Sequence, residues 1–69
     1  MKSAKEMFED LGYKIYYENE LTLCYINEEN DDYIYFYIHC KKIEVLHDIT
    51  IYELKAINKQ IEELGWLDE

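Results

Sequence analysis

The side chains best equipped for chemistry are two cysteines and two histidines: Cys24, His39, Cys40 and His47. Together they are a donor set for zinc, but their spacing does not form the paired knuckles of structural zinc sites. On a strand, the adjacent His39 and Cys40 would also point to opposite faces. No metal site is expected. Ser3 is the only serine and reads as a helix cap, and the only glycines, Gly12 and Gly65, each follow a helical pattern. That leaves no activated nucleophile and no glycine loop to cradle a phosphate. No acid–base pair converges, so the expectation is a protein without enzymatic activity and without a cofactor.

Two other groups stand out. Glu28, Glu29, Asp31 and Asp32 form the densest run of carboxylates, within NEENDD. The run lacks the spaced ligands and the glycine of a helix–loop–helix calcium site. Its simplest reading is a solvated hairpin loop. Its functional reading is a mimic of nucleic acid, offered to the basic groove of a nuclease or DNA-binding protein. The second group lies in DDYIYFYIHC, residues 31–40. Alternation puts Tyr33, Tyr35 and Tyr37 on one side of a strand and Ile34, Phe36 and Ile38 on the other. Tyrosine favours strands, and cross-strand aromatic pairs add roughly 0.2–1 kcal/mol each, so the stripe has a structural explanation. Tyrosine is also rigid, large and amphipathic, which enriches it at protein interfaces. Tyr16, Tyr33, Tyr35, Tyr37 and His39 are therefore the candidate partner-binding face. A symmetric homodimer would pair the patch with itself and relieve a small domain's shortage of core. A host protein is the other candidate partner, and a small aromatic ligand stacked on the rings is a third reading.

Charge narrows the partners. Sixteen acidic residues against seven basic give a net charge of −9. Nucleic acid and anionic membranes repel such a chain, so direct binding to either is not expected. Some RNA-binding domains stack bases on sheet aromatics, but Lys14, Lys41 and Lys42 are too few to neutralise a backbone. No apolar run approaches the roughly 18 residues of a membrane span. The opening MKSAKEMFED turns acidic early and has no apolar core segment, so it does not read as a signal peptide and the cytoplasm is expected. There the two cysteines are expected as reduced, packed thiols rather than a disulfide.

The elements that must hold these groups follow from periodicity. Sixty-nine residues make one domain, and 49% hydrophobic content is enough for it to fold. A chain this short buries only about 60% of its unfolded surface. Ser3 and Glu6 form a capping box, and Ala4, Met7, Phe8 and Leu11 make one stripe, predicting a helix over Ser3–Leu11. Thr50 and Glu53 repeat the box, and Leu54, Ile57, Ile61 and Leu64 make the apolar face of a second helix. Lys55, Asn58, Lys59, Glu62 and Glu63 are its wet face. The helix ends EDLGY and EELGW match, with each aromatic expected to pack back on the last turn, Tyr13 on Phe8 and Trp66 on Ile61.

Between the helices the period changes to two. Strands are expected over residues 13–18, 21–26, 32–40 and 43–47, joined by ENE, by NEENDD and by a tight turn at Lys41 and Lys42. Short turns pair successive strands antiparallel. The fold class is therefore α+β: helix, four-stranded antiparallel meander, helix, in two layers with both helices on one face. The register that buries the most apolar set puts Tyr13, Ile15, Tyr17, Leu21, Leu23, Tyr25, Ile34, Phe36, Ile38, Cys40, Ile43 and Val45 under the helices. Lys14, Tyr16, Thr22, Cys24, Ile26, Tyr33, Tyr35, Tyr37, His39 and Glu44 then face outward. Cys24 is expected exposed beside Tyr35, and His39 opposite Glu44.

The segments AKEMFEDLGYK and ITIYELKAINKQIEELGWL resemble short uncharacterised proteins of Gram-positive bacteria and their phages and prophages. The resemblance covers the two helices and their stops. It implies a mobile-element setting, in which small acidic proteins often bind host proteins, and it transfers no catalytic or ligand residue.

Overall fold

Local chemistry starts and stops both helices of the computed structural model, which describes residues 2–67. Helix α1 spans Ala4–Asp10 and α2 spans Ile51–Glu63. The Ser3 amide donates to Glu6 Oε1 at 2.9 Å while the Glu6 amide donates to Ser3 Oγ at 3.2 Å. Thr50 and Glu53 make the same reciprocal pair, satisfying amides that a helix start leaves without partners. Both helices stop alike. Gly12 and Gly65 take left-handed φ angles of 93° and 73°. The amides of Tyr13 and Trp66 then reach back to the carbonyls of Phe8 and Ile61, and those of Gly12 and Gly65 to Glu9 and Glu62. This is the bonding pattern of a Schellman stop, twice.

Four strands lie between: β1 (Lys14–Glu18), β2 (Thr22–Asn27), β3 (Asp32–Tyr37) and β4 (Lys42–Val45). They pair antiparallel in the order β1-β2-β3-β4. Both helices contribute to one core with one side of this sheet, so the α+β, two-layer, helix–meander–helix architecture is observed. The core centres on rings. Phe8 stacks on Tyr25 at 4.0 Å and meets Tyr13 and Phe36 edge-on at 5.7 and 6.2 Å. Tyr13 thus packs on Phe8 as expected, and the Trp66 ring lies 6.3 Å from Phe36.

Three polar ties fix α2. Tyr13 donates its hydroxyl to Glu53 Oε2 at 2.8 Å, and Tyr25 donates to Gln60 Oε1 at 2.6 Å. The Ala4 amide donates to Glu63 Oε2 at 2.8 Å, joining the start of α1 to the end of α2. The tie to Gln60 explains a rotation of the helix. Leu54, expected in the buried stripe, is 41% exposed, while Ala56 and Gln60 are buried beside Ile57. A glutamine whose amide has a partner can be buried at little cost, and a small alanine lets the helix approach.

Those two phenols carry a pH dependence. Burial first, with Glu53 adding to it for Tyr13, pushes both well above the usual range. In the unfolded chain they ionise near pH ~10. Above that pH the folded state binds more protons than the unfolded state, so stability is full below about pH 10 and is lost as pH rises. Thermal melts between about pH 8 and pH 12 should show the midpoint falling above about 10, with a shallower fall for Tyr25→Phe. A variant curve parallel to that of the wild type would dissociate Tyr25 from the effect.

Besides β4, which ends at Val45 rather than near His47, the strands differ from expectation in three places. A β-bulge lies between Ile15 and Tyr17: Ile15 pairs Tyr25, but Tyr17 pairs Cys24. Tyr17 therefore joins the face of Cys24 rather than lying under the helices, because a bulge inserts one residue and flips the alternation beyond it. Leu21 is outside β2 and 57% exposed. Asn19 Oδ1 accepts the amides of Leu21 and Thr22, so an Asx turn occupies what looked like the strand's first residue. Finally, β3 ends at Tyr37, and residues 38–41 turn, with Lys41 at φ 55°. The β3–β4 connection is thus a four-residue loop rather than a tight Lys41–Lys42 turn. It carries Cys40 out of the core to an exposed position.

Candidate functional site

The face of the sheet away from the helices is the candidate site. Register fixes its rows: Lys14, Ile26 and Tyr33; Tyr17, Cys24, Tyr35 and Glu44; Thr22, Tyr37 and Lys42. Tyr16, unpaired in the bulge, meets Tyr17 at 5.9 Å and Tyr33 edge-on at 5.6 Å. The bulge therefore brings two β1 tyrosines to this side, where regular alternation would bring one.

Along β3 the rings form a ladder. Tyr33 and Tyr35 lie 5.9 Å apart and 13° from parallel, Tyr35 and Tyr37 5.9 Å and 7°. These are alternate residues of one strand, so the strand's own rise sets the spacing. Every residue of β2 is buried, although helices cover only one side. On the other side Cys24 is 0%, Ile26 6% and Thr22 8% exposed. The neighbouring tyrosines, flanking β2 on β1 and β3, are the cover. Tyr33, Tyr35 and Tyr37 are half-buried, while Tyr16 and Tyr17 remain 57% and 43% exposed.

The face is also electrically quiet. Among the described residues, strand register places one acidic side chain on it, Glu44, and two basic ones, Lys14 and Lys42, at its corners. Glu44 accepts the Tyr37 hydroxyl at 2.7 Å, and this bond, with desolvation behind it, pushes the Tyr37 phenol up to about 12. Desolvation likewise raises Tyr33 and Tyr35. All three rings are therefore neutral at physiological pH.

Not every expected member belongs here. His39 lies in the β3–β4 turn, exposed, because β3 stops two residues earlier; it does not face Glu44. Tyr17 is a member that alternation alone missed, and only the bulge reveals it. Cys24 is on this face as expected, but buried rather than exposed. Burial raises its thiol, while a bond from Tyr35 counters in part. A thiol-disulfide reagent should therefore modify one thiol per native chain quickly, at Cys40, and the second at least about tenfold more slowly, since covered and protonated thiols react poorly. Two equally fast thiols would mean that the tyrosine cover is open.

The acidic run is divided rather than gathered. Glu28, Glu29 and Asp31 are in the β2–β3 turn, with Asp31 at φ 56°, and Asp32 opens β3. Asn27 Oδ1 organises that turn by accepting the amides of Glu29 and Asn30. Glu28 pairs with Lys14 at 2.7 Å, and Asp32 lies 3.3 Å from His47. Among the described residues, no three or more His, Cys, Asp or Glu side chains gather as a metal ion needs. No helix among them is long and apolar enough to cross a membrane.

The fold and face define a two-layer α+β domain with one aromatic sheet surface left to solvent. Compared with family models, curated proteins and solved structures, the chain matches none.

Proposed function

We propose that this is a small acidic protein-binding module, without enzymatic activity, whose working surface is the tyrosine face. The first partner to test is a second copy of itself, and the second is a host protein. The setting proposed, from the resemblance of the two helix segments, is a phage or prophage protein acting in the cytoplasm. One observation carries the reading: a chain of net charge −9 keeps a face whose strand rows hold one carboxylate and two lysines, with two half-exposed β1 tyrosines beside a tyrosine ladder. Two acidic molecules approach each other at least cost through such a face, since pairing there leaves the charged helix layers outermost.

Size tempers the affinity. Strands about 4.8 Å apart and about 3.4 Å per residue give a footprint of roughly 15–20 Å on a side. Two such footprints come to roughly 450–800 Å² in total, below the roughly 1,200 Å² at which standard specific interfaces begin, so no more than a weak, concentration-dependent dimer is expected. The ligand-sponge reading has less support: both faces of Tyr35 are turned to other tyrosines, which leaves no platform there for a flat ligand. The mimic reading is weaker still, because Glu28 and Asp32 already have cationic or histidine neighbours.

Light scattering behind a sizing column, over rising concentration, tests the reading with Tyr16→Glu as the control. Tyr16 sits exposed in the bulge, so this change charges the face with little effect on folding. A two-chain mass that reverts to one in the variant supports self-association. A one-chain mass throughout moves the test to immobilised protein and host lysate. Equal retention of host proteins by wild type and Tyr16→Glu then overturns the reading.

A further inference from the structure

The bulge does more than bring extra tyrosines to the face: it sets three of them at angles to one another. Successive rings of the β3 ladder lie within 13° of parallel and turn their flat sides to each other. Tyr16 breaks that order. Its ring stands at 83° to Tyr33, with centroids 5.6 Å apart, and at 64° to Tyr17, 5.9 Å away. Rings that adjoin at steep angles make a corner, and the flat sides bordering it look into one space. Tyr16 and Tyr17 are 57% and 43% exposed, so this space is open to water.

The flat side of an aromatic ring carries negative charge density, so a corner walled by such sides attracts a cation and offers nothing comparable to a neutral group. Carboxylates beside it add to the attraction. Desolvation first, then Asp31 and more weakly Glu28, raise the Tyr33 phenol, which places both carboxylates within electrostatic reach of the corner. Lys14 shares the Tyr33 row, and Glu28 holds its ammonium at 2.7 Å. Those two charges offset each other and leave Asp31 to favour a cation. The net charge of −9 draws cations toward the chain as a whole.

The walls also select the kind of cation. A lysine ammonium is compact and strongly hydrated, and it gives up water only where acceptors replace it. The corner is made of rings. A trimethylated ammonium has no N–H to satisfy and presents methyl groups to the rings, while keeping its charge. On a lysine it is carried by a four-carbon stem, which can lie along the half-exposed rings beside the corner. We propose that the corner of Tyr16, Tyr17 and Tyr33 takes a trimethylated lysine side chain of a protein partner. This inference rests on the tyrosine face being the working surface, and it names the group that a partner sets there.

NMR titrations that follow the tyrosine ring protons test this. The probes are acetyl-trimethyllysine amide, its unmethylated twin, choline, and the neutral analogue of choline in which tert-butyl replaces trimethylammonium. Saturable shifts are expected with trimethyllysine at Tyr16, Tyr17 and Tyr33. Binding should be at least about threefold weaker for plain lysine, weaker for choline, and absent for the neutral analogue. Tyr16→Leu keeps apolar bulk but removes the ring. It should weaken trimethyllysine binding at least about threefold, as loss of one exposed cation–π contact implies. The probe comparisons need wild-type protein alone, so they hold even if the variant does not fold. Tyr52, exposed on α2 with Lys55 5.8 Å from its ring centre, is the internal reference. Absence of saturable shifts, equal shifts at Tyr52, equal affinity for plain lysine or the neutral analogue, tighter binding of choline, or undiminished binding by Tyr16→Leu would each overturn the proposal. A face that self-associates or retains host protein yet ignores trimethyllysine sinks this inference alone, whereas loss of both sinks the reading of the face as well.

Discussion

Phe8→Ala is expected to leave the chain largely unfolded at room temperature. Phe8 is fully buried, stacks on Tyr25 and touches Tyr13 and Phe36 edge-on. It is the ring through which α1 holds the sheet. Removing a buried phenylalanine side chain costs about 3–5 kcal/mol, from lost transfer energy and the cavity left behind. At about 0.05–0.15 kcal/mol per residue, a chain of this length has roughly 3–10 kcal/mol in total. The loss is therefore comparable with the whole stability. Circular dichroism during urea and thermal unfolding reads it directly. A cooperative transition within about 1 kcal/mol of wild type would mean that the other rings close over the gap.

Tyr35→Glu should be the most damaging change on the open face. It removes the middle ring of the ladder, uncovers Cys24 and sets a carboxylate directly opposite Glu44. Aromatic contacts are worth about 0.5–1.5 kcal/mol each beyond area, and like charges directly opposite on a sheet are unfavourable. In a domain of this size, 1 kcal/mol is about 4–8 °C, so a melting temperature lower by roughly 10–20 °C is expected. Fast modification of a second thiol, at Cys24, should accompany it. A variant that melts like wild type and still shields Cys24 would show that the ladder is not the cover. Because this change strikes folding and surface together, Tyr16→Glu is the sharper probe of binding.

Much of the fold could be read from local signals. The pairs Ser3–Glu6 and Thr50–Glu53 are short-range bonds written within four residues, and the glycine–aromatic stops are written within six. The alternation of residues 32–37 also set the ladder correctly. What escaped the sequence depends on partners distant in the chain or on single-residue slips. Nothing near Gln60 announces that Tyr25 will satisfy it. Nothing in KIYYE says which tyrosine the bulge will absorb, since either face accepts a tyrosine. The run at Ile38, His39 and Cys40 continues the strand's pattern, and only the loop with its left-handed Lys41 shows where pairing ends. Site residues shared that fate: the ladder was legible, whereas Tyr17 turned on the bulge, His39 on where β3 ends and the burial of Cys24 on the rings beside it.

The bulge at Ile15–Tyr17 has one more effect. β1 is an outer strand of the sheet, and an outer strand is a template on which another chain can add its own backbone. A kinked rim offers no straight run of amides and carbonyls to copy. The opposite rim, β4, is four residues long and carries Lys42 and Glu44. With both rims blunted, this aromatic-rich chain is poorly built to grow edge to edge into fibres.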